Sequence, residues 1–198
     1  MAKKIIWDSN LYNKIASLYD IAFSLFLPKK YRIKVVESLI PGNVLDVACG
    51  SGALLLHANK KGLKCYGIDL SKGMIKQASK KVPEAELREG NYYKIPYDNG
   101  MFDNVVSTYA LGGTKIDIEK VLSEMIRVCK PDGQVIILDW QKKLKENLLD
   151  KVFIRIARIT EDAPRDFIKI LSSNDFKPEC RKLSYTYSII IASKINKK

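Results

Sequence analysis

Apolar residues fall along this chain in two patterns, short continuous runs and stripes of helical period. Val44 to Val47, Asn104 to Tyr109 and Gln134 to Trp140 are continuous β-type runs, as expected of parallel strands covered on both faces. Leu63 to Ile68 adds a strand, Ala85 to Glu89 a short one, and Lys177 to Tyr185 and Thr186 to Lys194 the last two, the first alternating with period two. Helical stripes lie between them. Positions 11, 15 and 18 mark a first helix capped by Asp8 or Ser9, and Lys29 to Ile40, after Pro28, turns Tyr31, Val35, Val36 and Leu39 inward. Ala53 to Ala58 and a segment capped by Ser71 follow. Ile118, Val121, Leu122, Met125 and Val128 make one face of Ile116 to Val128, which stops at Cys129-Lys130-Pro131-Asp132-Gly133.

One further stripe has a distinct charge. Leu144, Leu148, Leu149, Val152, Phe153 and Ile156 keep helical spacing over Gln141 to Ile159, where six basic residues outnumber two acids. Such a helix either lies on an anionic membrane surface or covers the sheet with a solvated outer face.

Composition narrows the class without naming a task. The 198 residues suffice for one domain with a full core, read here as residues 1–198, with a helical segment over 1–40 and the core over 43–198. The longest apolar stretch, around Ile21 to Leu27, is far short of the ~20 residues of a membrane span, and the start does not resemble a signal peptide. Cys49, Cys65, Cys129 and Cys180 are widely spaced without C-x-x-C, which argues against a disulfide framework or zinc site and suits a reducing cytoplasm. Cys49 belongs to a loop described next; the other three read as small core residues. A net charge of +12 favours anionic partners, or else reflects a lysine-rich genome.

The chemistry centres on Val44-Leu45-Asp46-Val47-Ala48-Cys49-Gly50-Ser51-Gly52. A strand, a Gly-rich turn and a helix N-terminus form a site where backbone N–H groups face a ligand. The second strand delivers Asp69 at its carboxyl end, where an acid accepts from both hydroxyls of a ribose. A dinucleotide loop needs a third glycine where this chain has Leu55, and no Gly-Lys-Ser/Thr follows for a P-loop.

Leu45-Asp46-Val47-Ala48-Cys49-Gly50-Ser51-Gly52 resembles the L-D-x-G-C-G-T-G loop of class I S-adenosylmethionine-dependent methyltransferases, with Ala48 in place of the first glycine. Alanine there demands an ordinary backbone conformation and shifts the methionine end slightly. Tyr12…Ala16…Tyr19-Asp20…Phe23 resembles the lead-in of quinone C-methyltransferases and bacterial phospholipid N-methyltransferases, where the segment lies over the cofactor and helps close the acceptor pocket, so the resemblance implies a helical lid over 1–40. Ser71 to Ala78, Ile95 to Asp103, the Cys129 to Gly133 turn and Phe167 to Phe176 resemble further family segments, leaving 140–163 unmatched.

The resemblance implies an α/β fold, a doubly wound, seven-stranded, mostly parallel Rossmann-like sheet with its last strand antiparallel and helices on both faces. It implies S-adenosylmethionine as cofactor and S-adenosylhomocysteine as product. The matching cofactor positions are Asp46, Ala48, Cys49, Gly50, Gly52, Asp69, Leu70, Met74, Asn91, Tyr92 and Thr108. Leu70 and Met74 correspond to adenine walls, and Asn91 replaces the family's carboxylate toward the adenine amine, accepting through its amide oxygen.

Transfer from a sulfonium needs position more than acid–base groups, so Tyr12, Tyr19 and Tyr109 are the candidates for orienting an acceptor, and His57 reads as a structural helix residue. The expected acceptor is a small molecule or lipid, a phospholipid head-group amine being favoured, in a cytoplasmic monomer or homodimer with peripheral contact to an anionic inner membrane face. Thr108-Tyr109-Ala110-Leu111 is unlike the N/D-P-P-Y/F of amide or adenine methylation, and Tyr109-Ala110-Leu111-Gly112-Gly113 is unlike the F-G-L-R-N of quinone enzymes. A nucleic acid partner is not favoured, for want of an RNA-binding module. RNA methylation and a non-catalytic, cofactor-holding or partner-activating role stay open beside the main reading.

Overall fold

The computed structural model describes residues 29–113, 115–141, 164–184 and 187–194. Tyr12 and Tyr19, the rest of the N-terminal helix and the basic stripe at 142–159 lie outside the described residues. The described chain runs α1 (Lys29–Glu37), β1 (Asn43–Val47), α2 (Ala53–Lys60), β2 (Lys64–Asp69), α3 (Lys72–Lys81), β3 (Glu86–Glu89), β4 (Phe102–Thr108), α4 (Ile118–Val128), β5 (Cys129–Trp140), α5 (Phe167–Ser172), β6 (Phe176–Lys182), β7 (Tyr187–Lys194).

The strands form one seven-stranded sheet in the order β3-β2-β1-β4-β5-β7-β6. All neighbours are parallel except β7, which inserts antiparallel between β5 and β6. This is the doubly wound sheet expected, with its reversal of strand order between β1 and β4.

Alternation along each strand explains the two layers. Leu45, Val47, Tyr66, Ile68, Val105, Val135 and Ile137 face one core with α4 and α5, while Val44, Val106, Ile136 and Leu138 face the other with α1 and α2. Each face is predominantly apolar, so the strands read as near-continuous hydrophobic runs. Asp46, two residues on from Val44, shares the α1/α2 face.

Three readings need correction. β5 begins at Cys129, not Gln134: Phe102 pairs with Cys129 before the register shifts to Asn104 with Gln134. An irregularity in the ladder accommodates Pro131-Asp132-Gly133, and a Cβ on Gly133 would meet the Asp103 carbonyl oxygen at 2.9 Å. α1 ends at Glu37 rather than Ile40 because Ile40 is drawn to the sheet, its N–H donating to Asn104 Oδ1 at 3.0 Å. Cys180 is exposed, unlike the other cysteines, because it lies on the edge strand β6.

Among the described residues no helix is long and apolar enough to cross a membrane, and no group of three or more metal-ligating side chains occurs.

Candidate functional site

The crevice at the carboxyl ends of β1 and β4 lies where the strand order reverses, the position where open α/β sheets bind ligands. The loop from β1 into α2 is built from left-handed backbone: Ala48 at φ 60°, Gly50 at 53° and Gly52 at 76°. Ala48 therefore does not adopt the ordinary conformation expected of alanine. It takes the glycine-like shape, at a cost of roughly 1–2 kcal/mol, because its neighbours fix the loop on both sides. Gly52 must be glycine for a second reason, since a Cβ there would lie 3.0 Å from Ala78 Cβ and 3.2 Å from Ala78 Cα on α3.

Three backbone N–H groups of this loop are spent within the protein rather than offered to a ligand. Cys49 N donates to Ile68 O at 2.9 Å, Gly52 N to Cys49 O at 3.0 Å and Gly50 N to Asp69 Oδ2 at 2.9 Å. A phosphate cradle is thereby excluded at these three donors, whose hydrogens are spent on the protein. Asp69 also accepts from Ser71 N through Oδ1 at 2.8 Å, so its two oxygens tie the loop to the start of α3. Each oxygen keeps a further lone-pair direction for a ligand hydroxyl. Burial raises the Asp69 carboxyl above its usual range, opposed by the N–H groups of Ser71 and Gly50.

Asp46 is the more unusual acid. It is 1% exposed, and its Oδ1 is buried without a hydrogen-bond partner. Burial pushes its carboxyl up to about 8; the Arg32 guanidinium opposes this and the Asp69 charge adds to it. Cys49 is driven well above the ordinary thiol range by burial and by both carboxylates, so it packs rather than acts as a nucleophile.

Around this centre the remaining expected residues are distributed unevenly. Leu70 is 41% exposed and Met74 1%, so of the two Leu70 presents surface to a ligand. Asn91 Oδ1 already accepts from Tyr93 N at 2.8 Å, an Asx turn that engages the amide oxygen expected to face adenine. Tyr92 stacks edge-on against Tyr93 with centroids 4.7 Å apart, and burial foremost pushes its hydroxyl up to about 12. Thr108 closes β4, and beside it Ser107 Oγ donates to Val47 O at 2.9 Å, stitching the two strand ends together.

Tyr109 follows at φ 57°, its ring edge-on to Tyr187 at 5.1 Å and beneath the Arg32 guanidinium at 5.2 Å. Burial holds its hydroxyl protonated, so it can donate a hydrogen bond but not take a proton at neutral pH. Asp139 fixes the next turn, its Oδ2 accepting from Leu111 N at 2.8 Å.

Arg32, Gly67, Asp139 and Tyr187 escape sequence reasoning. Gly67 carried a signal, lying mid-strand beside Asp46: a Cβ there would meet Cys49 Sγ and Leu55 Cδ1 at 2.9 Å each, so glycine lets the loop lie on β2. Arg32 carried none, because only the packing of α1 on the sheet brings it to this edge.

The residues present fit S-adenosylmethionine. That cofactor has a ribose, a cationic sulfonium and an ammonium, and no phosphate. The edge offers the Asp69 carboxyl, the Asp46 carboxyl with its unpartnered buried oxygen, which a cation close by would favour in its ionised form, and, among the described residues, open space on the Cβ side of Gly50.

The fold is that of a Rossmann-like methyltransferase. Residues 45–137 match the model of a methyltransferase domain. The demethylmenaquinone methyltransferase of Desulfitobacterium hafniense is 32% identical, over 70% of this chain and 60% of the relative. This chain thus spans about 60% of the length of that curated relative. A structure from Thermotoga maritima, described as a possible histamine N-methyltransferase, superposes with a TM-score of 0.73 at 15% identity, covering 96% of this chain and 100% of that one. Magnesium protoporphyrin IX methyltransferase from Synechocystis, with bound S-adenosylhomocysteine, gives 0.67 at 22% identity over 84% and 83%. The chain belongs to the class I S-adenosylmethionine-dependent methyltransferases. The cofactor of that family is S-adenosylmethionine, and its product S-adenosylhomocysteine.

Proposed function

We propose that this chain transfers the methyl group of S-adenosylmethionine to a small-molecule or lipid acceptor, with a phospholipid head-group amine as the favoured class. The observation that carries the transfer is the pairing of Asp69, bound to the loop through Gly50 N–H, with the buried, partnerless Asp46 oxygen at the strand reversal. When bound, the cofactor supplies both the electrophilic methyl group and its leaving group.

The protein's part is position and charge. Asp69 holds the ribose hydroxyls, Asp46 the cationic end, and Leu70 with Tyr92 the adenine faces. Ala48, Cys49, Gly50 and Gly52 shape the loop; Met74 and Thr108 support it from α3 and β4; Asn91 contributes whatever its turn leaves of its amide. Tyr109, protonated and half-buried, donates toward an acceptor; Tyr12 and Tyr19, the other candidates for orienting it, lie outside the described residues. Alignment of this kind removes roughly 7–11 kcal/mol of barrier in well-oriented systems. No general base is required for an acceptor that arrives as a free amine.

The +12 charge supports an anionic lipid as acceptor. The relatives named as demethylmenaquinone methyltransferases support a second reading, a quinone acceptor. Incubation with methyl-labelled S-adenosylmethionine and an extract of the source cells tests both. Label in phospholipid is expected; label in quinone replaces the favoured acceptor with the second. Bound cofactor without label in any fraction would sink the transfer reading and leave a non-catalytic, cofactor-holding role.

A further inference from the structure

Past β4 the chain runs through Tyr109 and on to α4, flanking the crevice on the side opposite Asp69. Hydrogen bonds hold it from different directions. Asp139 Oδ2 on β5 accepts from Leu111 N at 2.8 Å. Arg165 Nη2 donates to the carbonyls of Gly113 and Ile116, the second at 3.4 Å, and Ile116 N donates to Gly113 O at 3.1 Å. A further hold comes from the cofactor side. Asp117 N donates to the Tyr93 hydroxyl at 3.0 Å, while Asp117 Oδ1 caps α4 by accepting from Lys120 N at 3.2 Å.

Behind Tyr93 lies a turn closed on itself. Tyr93 N donates to Asn91 Oδ1 at 2.8 Å and Lys94 N to Asn91 O at 3.0 Å, so 91–94 moves as one piece. The Tyr93 ring stands edge-on to Tyr92, centroids 4.7 Å apart, and Lys120 Nζ lies 5.7 Å from its centre. It is thus wedged between the residue set against adenine and the first turn of α4. A second tie, from Ile95 N to Glu124 Oε2 at 2.8 Å, meets α4 about two turns further along. Among the described residues, the bond from Asp117 N to the Tyr93 hydroxyl is the one that joins the 91–94 turn to the chain entering α4.

We propose that Tyr93 is a positioning residue: adenine seated against Tyr92 fixes the 91–94 turn, and the Tyr93 hydroxyl carries that order to Asp117, so that the acceptor side of the crevice is set once the cofactor is bound. The proposal rests on the reading that places adenine at Tyr92. A ligand that rigidifies one segment lowers the entropy cost of ordering whatever is bonded to it, and a second ligand then meets a side already ordered. The coupling is reciprocal, so a bound acceptor tightens the hold on the cofactor in turn. Tyr93→Phe removes the oxygen that accepts from Asp117 and keeps a ring of the same shape beside Tyr92 and Lys120. It separates the strut from the packing.

The experiment is amide hydrogen exchange on the full chain, with and without saturating S-adenosylhomocysteine, in the unaltered protein and in Tyr93→Phe. In the unaltered protein the ligand is expected to slow exchange about fivefold or more, both over 91–95 and at Ile116 and Asp117. In Tyr93→Phe the slowing over 91–95 persists, and that at Ile116 and Asp117 falls below about twofold. A merely structural Tyr93 gives another result. Exchange at Ile116 and Asp117 is then faster in the variant with and without ligand, and the ratio between the two conditions is preserved, which overturns the proposal.

Arg165→Gln supplies the comparison, because it loosens the same stretch from the other side, at Gly113 and Ile116. Its ligand-induced ratio at Asp117 is expected to stay that of the unaltered protein. Loss of the ratio in this variant as well would mean that it reports only how loose the stretch is, and would overturn the strut. Slowing over 91–95 in the unaltered protein without slowing at Ile116 and Asp117 overturns the strut alone. No slowing over 91–95 removes the adenine assignment, and the strut with it. Because the measurement uses no turnover, each of these failures is distinct from a failure of methyl transfer.

Discussion

The two edges of the sheet treat buried charge in opposite ways. At the amino edge, Asp103 accepts from Lys130 Nζ and from Asn43 N, both at 2.8 Å, and these partners outweigh its burial and hold its carboxyl below the usual range. Arg127 there bonds Glu124, the carbonyls of Ile95 and Tyr97, and Asn99, knitting the 95–99 connector to α4. At the carboxyl edge, Asp46 and Asp69 are raised by burial, an Asp46 oxygen has no partner, and Ala48 and Tyr109 take positive φ. The charged groups of the first edge are paired and serve stability, although the Tyr97 hydroxyl of the same connector is buried without a partner among the described residues; the second leaves a buried acid unpaired, which suits the proposed ligand edge.

This contrast can be broken in four places. The largest effect is expected at the paired edge, where Arg127→Ala strands the Ile95 and Tyr97 carbonyls and Glu124. It should cost about 2–4 kcal/mol in denaturant unfolding and leave cofactor affinity unchanged; a loss of affinity equal to the loss of stability would erase the distinction between edges. Next, Asp69→Ala removes charge-assisted bonds to the ribose worth roughly 1.5–3 kcal/mol. Calorimetry should then show S-adenosylmethionine binding about tenfold to a hundredfold weaker, and unchanged affinity would refute the ribose assignment.

Asp46→Asn sharpens the comparison through pH. The folded-state carboxyl titrates at about 8 against an ordinary 3.8. Between those values the folded chain holds a proton that the unfolded chain has lost, so this group lowers stability progressively as pH rises through the window. The variant escapes that penalty. Its advantage in melting should be negligible near about pH 4 and grow to roughly 1–2 kcal/mol by about pH 8, while cofactor affinity falls. A pH-independent difference would mean that Asp46 is not held protonated.

The smallest effect belongs to Ala48→Gly, which relieves the left-handed alanine. A gain of about 1 kcal/mol is expected from removing that conformational penalty, less the extra chain entropy of glycine. A destabilised variant would show that the loop has already relaxed around the methyl group.

Legibility in the sequence followed the range of the forces involved. β1, β2 and β4 stand out because two apolar layers require Val, Leu and Ile at successive positions, and the Ser71 cap is realised, its Oγ accepting from Met74 N at 3.1 Å. Asp117 caps α4 at Lys120 N, which moves its start to Ile118. The start of β5 was hidden because Pro131-Asp132-Gly133 carries turn chemistry, while the pairing of Cys129 with Phe102 depends on a strand far away in the chain. Asp69 stands out as a candidate from its place at the end of β2, and Asp46 from the resemblance of its loop to a family motif. That the loop's donors at Cys49, Gly50 and Gly52 are consumed internally could not, since their acceptors lie on β2 and within the loop's own three-dimensional turn.

The sequence by itself determined the strand–loop–helix unit at 44–58, the acid at the end of β2 and the class of fold, because hydrophobic period, glycine placement and strand-end chemistry are local properties. Only the tertiary structure decided that Ala48 adopts a glycine's backbone, that Asp46 keeps a bare buried oxygen, and that α1 carries Arg32 over the Tyr109 ring. Those outcomes depend on which helix covers which strand, and so on burial and on charges brought together from distant parts of the chain.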